Sequence, residues 1–465
     1  MRQLLKQFFV YGLGSTIGKF LSLFLLPIYA SVFTPEDYGS LDFIQTITSI
    51  VSIFGMIQVE TGLQRYYYEY EDMNDRNRLV STSFLFSFIL SLFITILILL
   101  SVPFINDYYF EGKYAVEMVL SILVIIPSNL LAIIFVDFRF RKKTFLFTII
   151  NVVMVLVTAL SSIYAVKFMN MGIMGIIACS TITYYIIFII CFFIWYQQEK
   201  CLCFSRGLLK QMLSFGLPQF PARLGSISNS YINRFFMIGL LSVQAIGIYA
   251  VSLKIASGMQ LILSAFQLAW LPHMYELLTR NNHRIELLKS YKWILLILSY
   301  IVFLLALFSK DIVLLLTNEK YVEAAKYAPL LSLYYALYIL KEVVDIGVQK
   351  TNKTIYTSYI YILSSIINVL LLCLLTPRFG LYGVSCALLF SNAMLFISTM
   401  IVSEKLYPIG FPKKPTIFML LCIVLIVFIF PSLDFSLYMK FGISFLFTLC
   451  LSVLFHKQML HVSSK

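Results

Sequence analysis

Apolar runs of about 20 residues recur along the whole of this chain, and they restrict what it can fold into. A helix of that length crosses a hydrocarbon layer about 30 Å thick, whereas a lone strand leaves its backbone groups unsatisfied in lipid. Of the 465 residues, 60% are hydrophobic and only 12% are charged. A water-soluble fold could not cover so much apolar surface, so the sequence predicts an all-α polytopic membrane protein.

The apolar runs predict about fourteen transmembrane helices. We place them at residues 8–33, 39–62, 79–105, 115–137, 144–166, 173–196, 211–240, 247–271, 290–316, 326–349, 354–376, 380–403, 415–432 and 436–456.

The distribution of basic residues predicts the orientation of these helices. With the N-terminus in the cytoplasm, 23 of the 35 Lys and Arg residues fall in cytoplasmic loops and tails, seven in outer loops and five within spans. Cytoplasmic loops of membrane proteins are enriched in Lys and Arg, so both termini are predicted to be cytoplasmic. The same bias explains most of the net charge of +13, and no nucleic-acid partner is expected.

Two short segments resemble each other and indicate an internal repeat. "YGLGSTIGKF" (11–20) and "FGLPQFPARL" (215–224) align on their glycines, with a cation seven residues later in both. Six predicted spans separate them, so the two copies insert in the same direction, as in transporters built from parallel repeats. We therefore predict two six-helix bundles with pseudo-twofold symmetry, residues 1–209 and 210–403, followed by a helix pair at 404–465.

Two arginines interrupt the apolar segment 214–241. Arg223 and Arg234 are eleven residues apart, which places them on one helical face, and Ser226 and Asn233 lie near the same stripe. A cation at bilayer depth costs at least about 2.5 kcal/mol. The stripe is therefore predicted to face protein or water, and an excess of cations in a wet cavity favours an anion with phosphate or carboxylate groups.

Two lysines extend this predicted cationic site. Lys19 lies well inside the first span, and we group it with Arg223 and Arg234 around a shared central cavity. Lys254 lies close to the start of the eighth span, so a place in the cavity and snorkelling to the interface both stay open. For all of these cations, pairing with a buried acid is the alternative.

Carboxylates within the spans are candidates for binding a coupling ion. Asp42 and Glu60 lie on one side of the second span, and Glu342 and Asp345 lie in the tenth. Lys341 stands four residues before Asp345, a spacing at which the two charges can neutralise each other. That pairing and a role in binding a proton or a sodium ion both stay open.

Several classes of function are excluded or disfavoured. "GSTIGK" (14–19) has three residues between its glycines rather than the four of a nucleotide-binding loop, and Phe20 stands where Ser or Thr would bind magnesium. No zinc spacing accompanies Cys201 and Cys203, so neither a metal nor another cofactor is predicted. The predicted outer loops are short and hold none of the four histidines, which argues against an enzyme acting at the outer surface.

Three segments carry a family resemblance. "YGLGSTIGKFLSLFLLPIYASVFTPEDYGSLD" (11–42) resembles the opening of bacterial polysaccharide flippases of the multidrug/oligosaccharidyl-lipid/polysaccharide exporter superfamily. "FGLPQFPARL" (215–224) and "GIYAVSLKI" (247–255) resemble the start of their second bundle. Relatives often carry Asp where this chain has Asn233, and the departure leaves Arg234 more available to an anion.

The resemblance implies a function, partners and a location. Such proteins flip undecaprenyl-diphosphate-linked oligosaccharide units to the outer leaflet by alternating access, for O-antigen, capsule or exopolysaccharide assembly. It implies the bacterial cytoplasmic (inner) membrane, contact with membrane lipids, and polysaccharide polymerase and chain-length proteins as partners. A cation-coupled multidrug exporter on the same fold is the alternative, with Asp42 and Glu60 as its carboxylates; the central cations argue against it.

Overall fold

The structure is a computed structural model that describes residues 18, 21–199, 202–278, 283–351, 353, 355–433 and 435–449. Within these ranges the side chains are described except at a few helical positions, Ser226 among them. Helices make up most of the described chain, and no strand occurs in it. In chain order they are α1 Leu21–Val32, α2 Pro35–Phe54, α3 Val59–Tyr66, α4 Met73–Phe110, α5 Ala115–Leu123, α6 Ile125–Phe140, α7 Thr144–Lys167, α8 Gly172–Glu199, α9 Arg206–Gly216, α10 Phe220–Leu240, α11 Val243–Leu278, α12 His283–Leu307, α13 Ser309–Leu316, α14 Ala328–Val344, α15 Ile346–Thr351, α16 Ile355–Leu406, α17 Lys413–Ile429 and α18 Leu437–Leu449.

The predicted all-α membrane architecture is confirmed. Each predicted span between residues 39 and 432 coincides with one or two of these helices. Among the described residues, eight helices are long and apolar enough to cross a membrane, or nine when the bent pair α2 and α3 counts as one span. The number fourteen is not confirmed, because some predicted spans are broken and α16 joins two of them across Gly380, where φ is 56°.

The chain divides into two compact units. The first contains Met1–Ile238 and Ser242–Gly247, and the second contains Gly239–Leu241 and Ile248–Lys465. Most of α10 therefore packs with the first unit, although the internal repeat assigns the seventh span to the second bundle. The boundaries drawn from the repeat stay a prediction, since a repeat in sequence and a compact unit in space need not coincide.

Each unit has its own aromatic core. In the first unit Trp195 is fully buried and stacks on Phe84 with ring centroids 4.8 Å apart. In the second unit Phe303 stacks on Phe447 at 3.9 Å, and buried Tyr291 shares a 3.0 Å hydrogen bond with Thr416. Aromatic pairs of this kind add to the packing on which helices in lipid depend.

Polar side chains stabilise a break in the second predicted span. α2 stops at Gly55, and the chain bends by 51° before α3, passing through Gln58 at φ 60°. The buried amide of Asn129 in α6 donates to the Ser52 carbonyl at 3.0 Å and to the Ser91 hydroxyl at 2.9 Å. Ser91 in turn donates to the Gly55 carbonyl at 3.0 Å. These bonds replace those that the backbone loses where the helix is interrupted.

Glycines bring the starts of α2 and α11 into backbone contact within the first unit. A Cβ atom at Gly39 would lie 2.0 Å from the Val243 carbonyl oxygen, and one at Gly247 would lie 1.7 Å from the Pro35 carbonyl oxygen. No other residue fits either position without moving the chain. The contact fixes the first turn of α2, immediately before Asp42.

Candidate functional site

Two broken helices lie side by side in the first unit, and the candidate site is built on them. The first break separates α2 from α3, and the second separates α9 from α10 through a 3-10 turn at Leu217–Gln219. A Cβ at Gly62 would lie 2.5 Å from the Met212 carbonyl oxygen, and one at Gly216 would lie 2.5 Å from the Gln58 carbonyl oxygen. α3 and α9 therefore pack backbone against backbone, which holds the two breaks next to each other.

The second break follows from the sequence between the two helices. Pro218 lies in the 3-10 turn and Pro221 in the first turn of α10. Proline has no backbone donor and its ring prevents the preceding turn from closing as an α-helix. The Phe220 ring packs edge-on against Phe54 at 5.6 Å, which anchors the start of α10 to the end of α2.

Glu60 lies beside the breaks between two arginines. It begins the first turn of α3 and accepts a 3.1 Å hydrogen bond from Gln64. Arg139 at the end of α6 and Arg223 in α10 both act on its charge electrostatically. One carboxylate between two guanidinium groups leaves an excess of one positive charge.

Of the two arginines that act on Glu60, Arg223 has the exposed side chain. Its side chain is exposed and forms no ion pair with a carboxylate in the part of the chain that the structure describes. A guanidinium group can donate two parallel hydrogen bonds to neighbouring oxygens, so it suits a phosphate or a diphosphate. Among the predicted cations whose side chains the structure describes, Arg223 is the exposed one.

Arg234 lies three helical turns further along α10 and has a different environment. Its Nε atom bonds Asp42 Oδ2 at 3.0 Å, and its side chain is only 6% exposed. The guanidinium group also lies over the Tyr231 ring, 5.6 Å from the centroid. Two residues predicted for separate roles, a coupling carboxylate and an anion-binding cation, therefore form one partly buried pair.

This pair corrects the expectation that Asn233 leaves Arg234 more available to an anion. A carboxylate of α2, Asp42, already pairs with the Arg234 guanidinium group. Asn233 itself is buried, with 1% of its surface exposed.

The remaining predicted members of the cationic site are described only in part. Lys19 lies outside the described residues, and so does the side chain of Ser226. Lys254 belongs to the second unit, is half-buried, and its backbone carbonyl accepts a 2.5 Å hydrogen bond from the Ser257 hydroxyl. Their roles stay predictions.

In the second unit, the predicted carboxylates Glu342 and Asp345 both lie close to Lys341. Lys341 Nζ lies 3.3 Å from Asp345 Oδ2 and 3.5 Å from Glu342 Oε1, and Gln349 donates to Asp345 at 3.2 Å. Lys341 also lies 5.3 Å from the centroid of the Tyr361 ring. Lys341 and Asp345 thus form the i,i+4 pair that their spacing indicated.

Sequence reasoning missed Arg139 and Tyr231. Arg139 falls in a basic run that the charge bias explains as a topology anchor, and the packing of α6 on α3 brings its charge within electrostatic range of Glu60. Tyr231 stands three residues before Arg234, a spacing that places both on one helix face, so the sequence does contain a signal for this contact.

Comparisons with known proteins agree with this architecture. The profile of the family described as polysaccharide biosynthesis protein matches residues 4–278, and that of the MatE family matches residues 227–374. An uncharacterized membrane protein of Methanocaldococcus jannaschii is 23% identical over 438 residues, covering 85% of this chain and 82% of its own length.

Two solved structures share the fold. The lipid II flippase MurJ in an inward closed conformation superposes with a TM-score of 0.72 at 15% identity, covering 97% of this chain and 100% of its own. A multidrug resistance transporter of the MATE family in an outward-facing conformation superposes with a TM-score of 0.60 at 14% identity, covering 87% and 96%. Both solved proteins are transporters or flippases.

Proposed function

Because the chain belongs to the polysaccharide biosynthesis protein family, we propose that it flips undecaprenyl-diphosphate-linked oligosaccharide units from the cytoplasmic to the outer leaflet. It does so by alternating access, as a transporter and not as an enzyme, and it serves O-antigen, capsule or exopolysaccharide assembly. The observation that carries this proposal is the exposed Arg223, held beside two broken helices without an ion-pair partner in the described part of the chain.

The diphosphate is the part of such a substrate that resists crossing the membrane. Its charge is costly in hydrocarbon, so the protein must offer a polar route and compensating positive charge. Arg223 can bind two phosphate oxygens at once, while Glu60 keeps the net charge of the site small enough to release the head group. Broken helices at membrane depth are typical of substrate sites in transporters, because they leave polar groups free to line a route.

The membrane potential can drive the movement without a coupling ion. With the cytoplasm negative, outward transfer of an anion is favourable by about 2.3 kcal/mol per charge per 100 mV. We assign no coupling ion to Asp42 or Asp345, since Arg234 and Lys341 already balance them. Flipping in vesicles should slow when the potential is collapsed at constant ion gradients, and an undiminished rate would reject this drive.

A multidrug exporter is the alternative function, and it is supported by the match to the MatE family over residues 227–374. A cationic drug needs an available carboxylate, whereas Asp42 is paired with Arg234. The two functions differ in a deletion strain, where loss of the flippase should trap lipid-linked sugar on the cytoplasmic face. Unchanged glycan export with altered drug resistance would favour the exporter.

The proposal also includes a location and partners. The protein lies in the bacterial cytoplasmic membrane with both termini in the cytoplasm, as the charge bias predicts. Its substrate is passed on at the outer leaflet, where a polysaccharide polymerase and chain-length proteins act.

Substitution of Arg223 tests the site directly. Arg223→Ala should abolish export of the glycan, whereas Arg223→Lys should retain part of it, because an ammonium group keeps the charge and loses the two-pronged hydrogen bonding. Arg206→Ala is a matched control, since Arg206 is another exposed arginine, in the first turn of α9. Full export by Arg223→Ala at normal protein levels would contradict the assignment.

A further inference from the structure

Three basic side chains converge on one tyrosine at the end of the second unit that the charge distribution predicts to be cytoplasmic. Lys350 donates a 2.8 Å hydrogen bond to the Tyr407 hydroxyl, and its Nζ atom lies 4.0 Å from the ring centroid. The Arg284 guanidinium group lies 5.6 Å from the same centroid. The His283 ring is stacked at 5.9 Å, with Nε2 in contact with the hydroxyl.

Close packing of α15 on α16 holds Lys350 and Tyr407 in register. A Cβ at Gly347 would lie 2.2 Å from the Ser403 carbonyl oxygen, and the Gly347 amide donates to the Ser403 hydroxyl at 2.8 Å. Lys350 stands one turn after Gly347, and Tyr407 one turn after Ser403, so the two side chains meet. The arrangement is thus set by backbone contact and not by two flexible side chains alone.

The N-terminus of α12 contributes the other two groups. α12 begins at His283, and the buried Tyr291 ring packs against Phe411 at 5.0 Å, which fixes this helix against the segment after α16. The first turn of a helix carries partial positive charge and unpaired backbone amides. It therefore adds to the positive field of the Lys and Arg side chains.

Carboxylates do not neutralise the cluster. Neither Lys350 nor Arg284 forms an ion pair among the described residues. The Glu404 carboxylate on α16 accepts hydrogen bonds from the backbone amides of Ile409, Gly410 and Phe411, the shortest of which is 2.9 Å. The Tyr407 oxygen is then the acceptor on which the basic groups converge, and the hydrogen bond from Lys350 lowers the pKa of this phenol below its ordinary value.

We propose that Lys350 and Arg284 form a phosphate-binding site, with the Tyr407 oxygen occupying the place of a phosphate oxygen when the site is empty. A phosphate carries more charge and more acceptor oxygens than a phenol, so it binds Lys350 and Arg284 in preference. Tyr407 follows the last residue of the candidate span α16, and the end of a span is where lipid head groups are expected. The phosphate belongs to an anionic phospholipid or to a soluble phosphate, and this inference does not depend on the proposed flippase activity.

Binding of phosphatidylglycerol and of inorganic phosphate to the purified full chain tests the proposal. Native mass spectrometry follows the lipid, and titration calorimetry in detergent follows inorganic phosphate. Lys350→Ala and Arg284→Ala should each weaken binding by about tenfold, the value of one charge-assisted hydrogen bond. Lipid binding without phosphate binding identifies the head group as the source, and the reverse identifies a soluble ligand. If neither phosphatidylglycerol nor inorganic phosphate binds, the proposal is overturned.

Two control variants distinguish specific phosphate binding at Lys350 and Arg284 from a general effect of surface charge on affinity. Lys353→Ala removes an exposed lysine one turn from Lys350 and should change affinity by no more than about twofold. Tyr407→Phe removes the competing oxygen and should leave phosphate affinity equal or raise it. Equal losses in Lys350→Ala and Lys353→Ala, or a tenfold loss in Tyr407→Phe, would overturn the proposal.

Discussion

Asp42 and Arg234 stand 192 residues apart in the sequence and form a 3.0 Å ion pair between α2 and α10. The guanidinium side chain is 6% exposed and the carboxylate 23%. Arg234 is therefore part of how α10 is held in the first unit, while Arg223, three turns away, has an exposed side chain. The two arginines on one helical face have different environments, because among the described residues only Arg234 forms an ion pair with a carboxylate.

Loss of the Asp42 carboxylate should destabilise the protein. Asp42→Asn removes the carboxylate of the ion pair with the nearly buried Arg234 side chain and should lower the free energy of unfolding by about 3 kcal/mol. Thermal unfolding in detergent measures this. Glu36→Gln removes an exposed carboxylate from the same helix and should change stability by no more than about 0.5 kcal/mol. If Asp42→Asn leaves the midpoint of thermal unfolding unchanged, the ion pair contributes nothing to stability.

Neutralising Glu60 should strengthen the binding of an anion near Arg223. A unit charge about 10 Å away contributes on the order of 1–2 kcal/mol at an effective permittivity of 20, so Glu60→Gln should raise affinity about tenfold. Binding of an undecaprenyl-diphosphate lipid to the purified protein measures the effect. Glu71→Gln, at an exposed position after α3, serves as the control. Weaker binding in Glu60→Gln would mean that Glu60 itself contacts the ligand.

The close contact between α2 and α11 predicts a large effect of one methyl group. Gly247→Ala places a Cβ atom 1.7 Å from the Pro35 carbonyl oxygen, so the helices must move apart. We expect a loss of about 2–3 kcal/mol in stability, in the range for overpacking. Gly239→Ala has open space around its Cβ and should be neutral or stabilising by about 1 kcal/mol. Similar stability of the two variants would be incompatible with this contact.

A double-mutant cycle distinguishes a structural ion pair from a coupling site at Lys341 and Asp345. Lys341→Met alone leaves Asp345 buried and uncompensated and should cost about 3–5 kcal/mol, whereas Lys341→Met with Asp345→Asn should recover most of it. Unfolding of the four proteins gives the coupling energy. Transport by the double variant should persist, and its loss at normal stability would instead assign Asp345 to the transport mechanism.

The break between α2 and α3 should depend on Asn129. Asn129→Leu removes the donors to Ser52 and Ser91 and should cost about 1–3 kcal/mol, because buried acceptors lose their partner. Asn151→Leu is the matched control, since the Asn151 amide bonds only the carbonyl of Phe147 in its own helix. Equal effects of the two substitutions on thermal unfolding would show that Asn129 has no special role at the break.

The outline of the fold could be predicted from composition and local pattern. Long apolar runs need helices in lipid, so the spans between residues 39 and 432 were placed correctly without knowledge of any contact. The break between α9 and α10 is likewise a local feature, since Pro218 lies within the 3-10 turn at Leu217–Gln219. These features depend on short-range physics, which a single sequence contains.

The pairings within the site could not be predicted in this way. The sequence does not show that Asp42 reaches Arg234 or that Arg139 faces Glu60, because each contact joins helices that are distant along the chain. The break at Gly55 was missed because Ser52, Ser91 and Asn129, which stabilise it, come from three different helices.

By itself the sequence determined that this chain crosses a membrane many times as helices, since the free energy of placing each segment in lipid depends on that segment alone. Only the tertiary structure decided which buried charges are balanced and which remain accessible. The energy of a charge in a membrane protein depends on the nearest opposite charge, and packing between helices sets that distance.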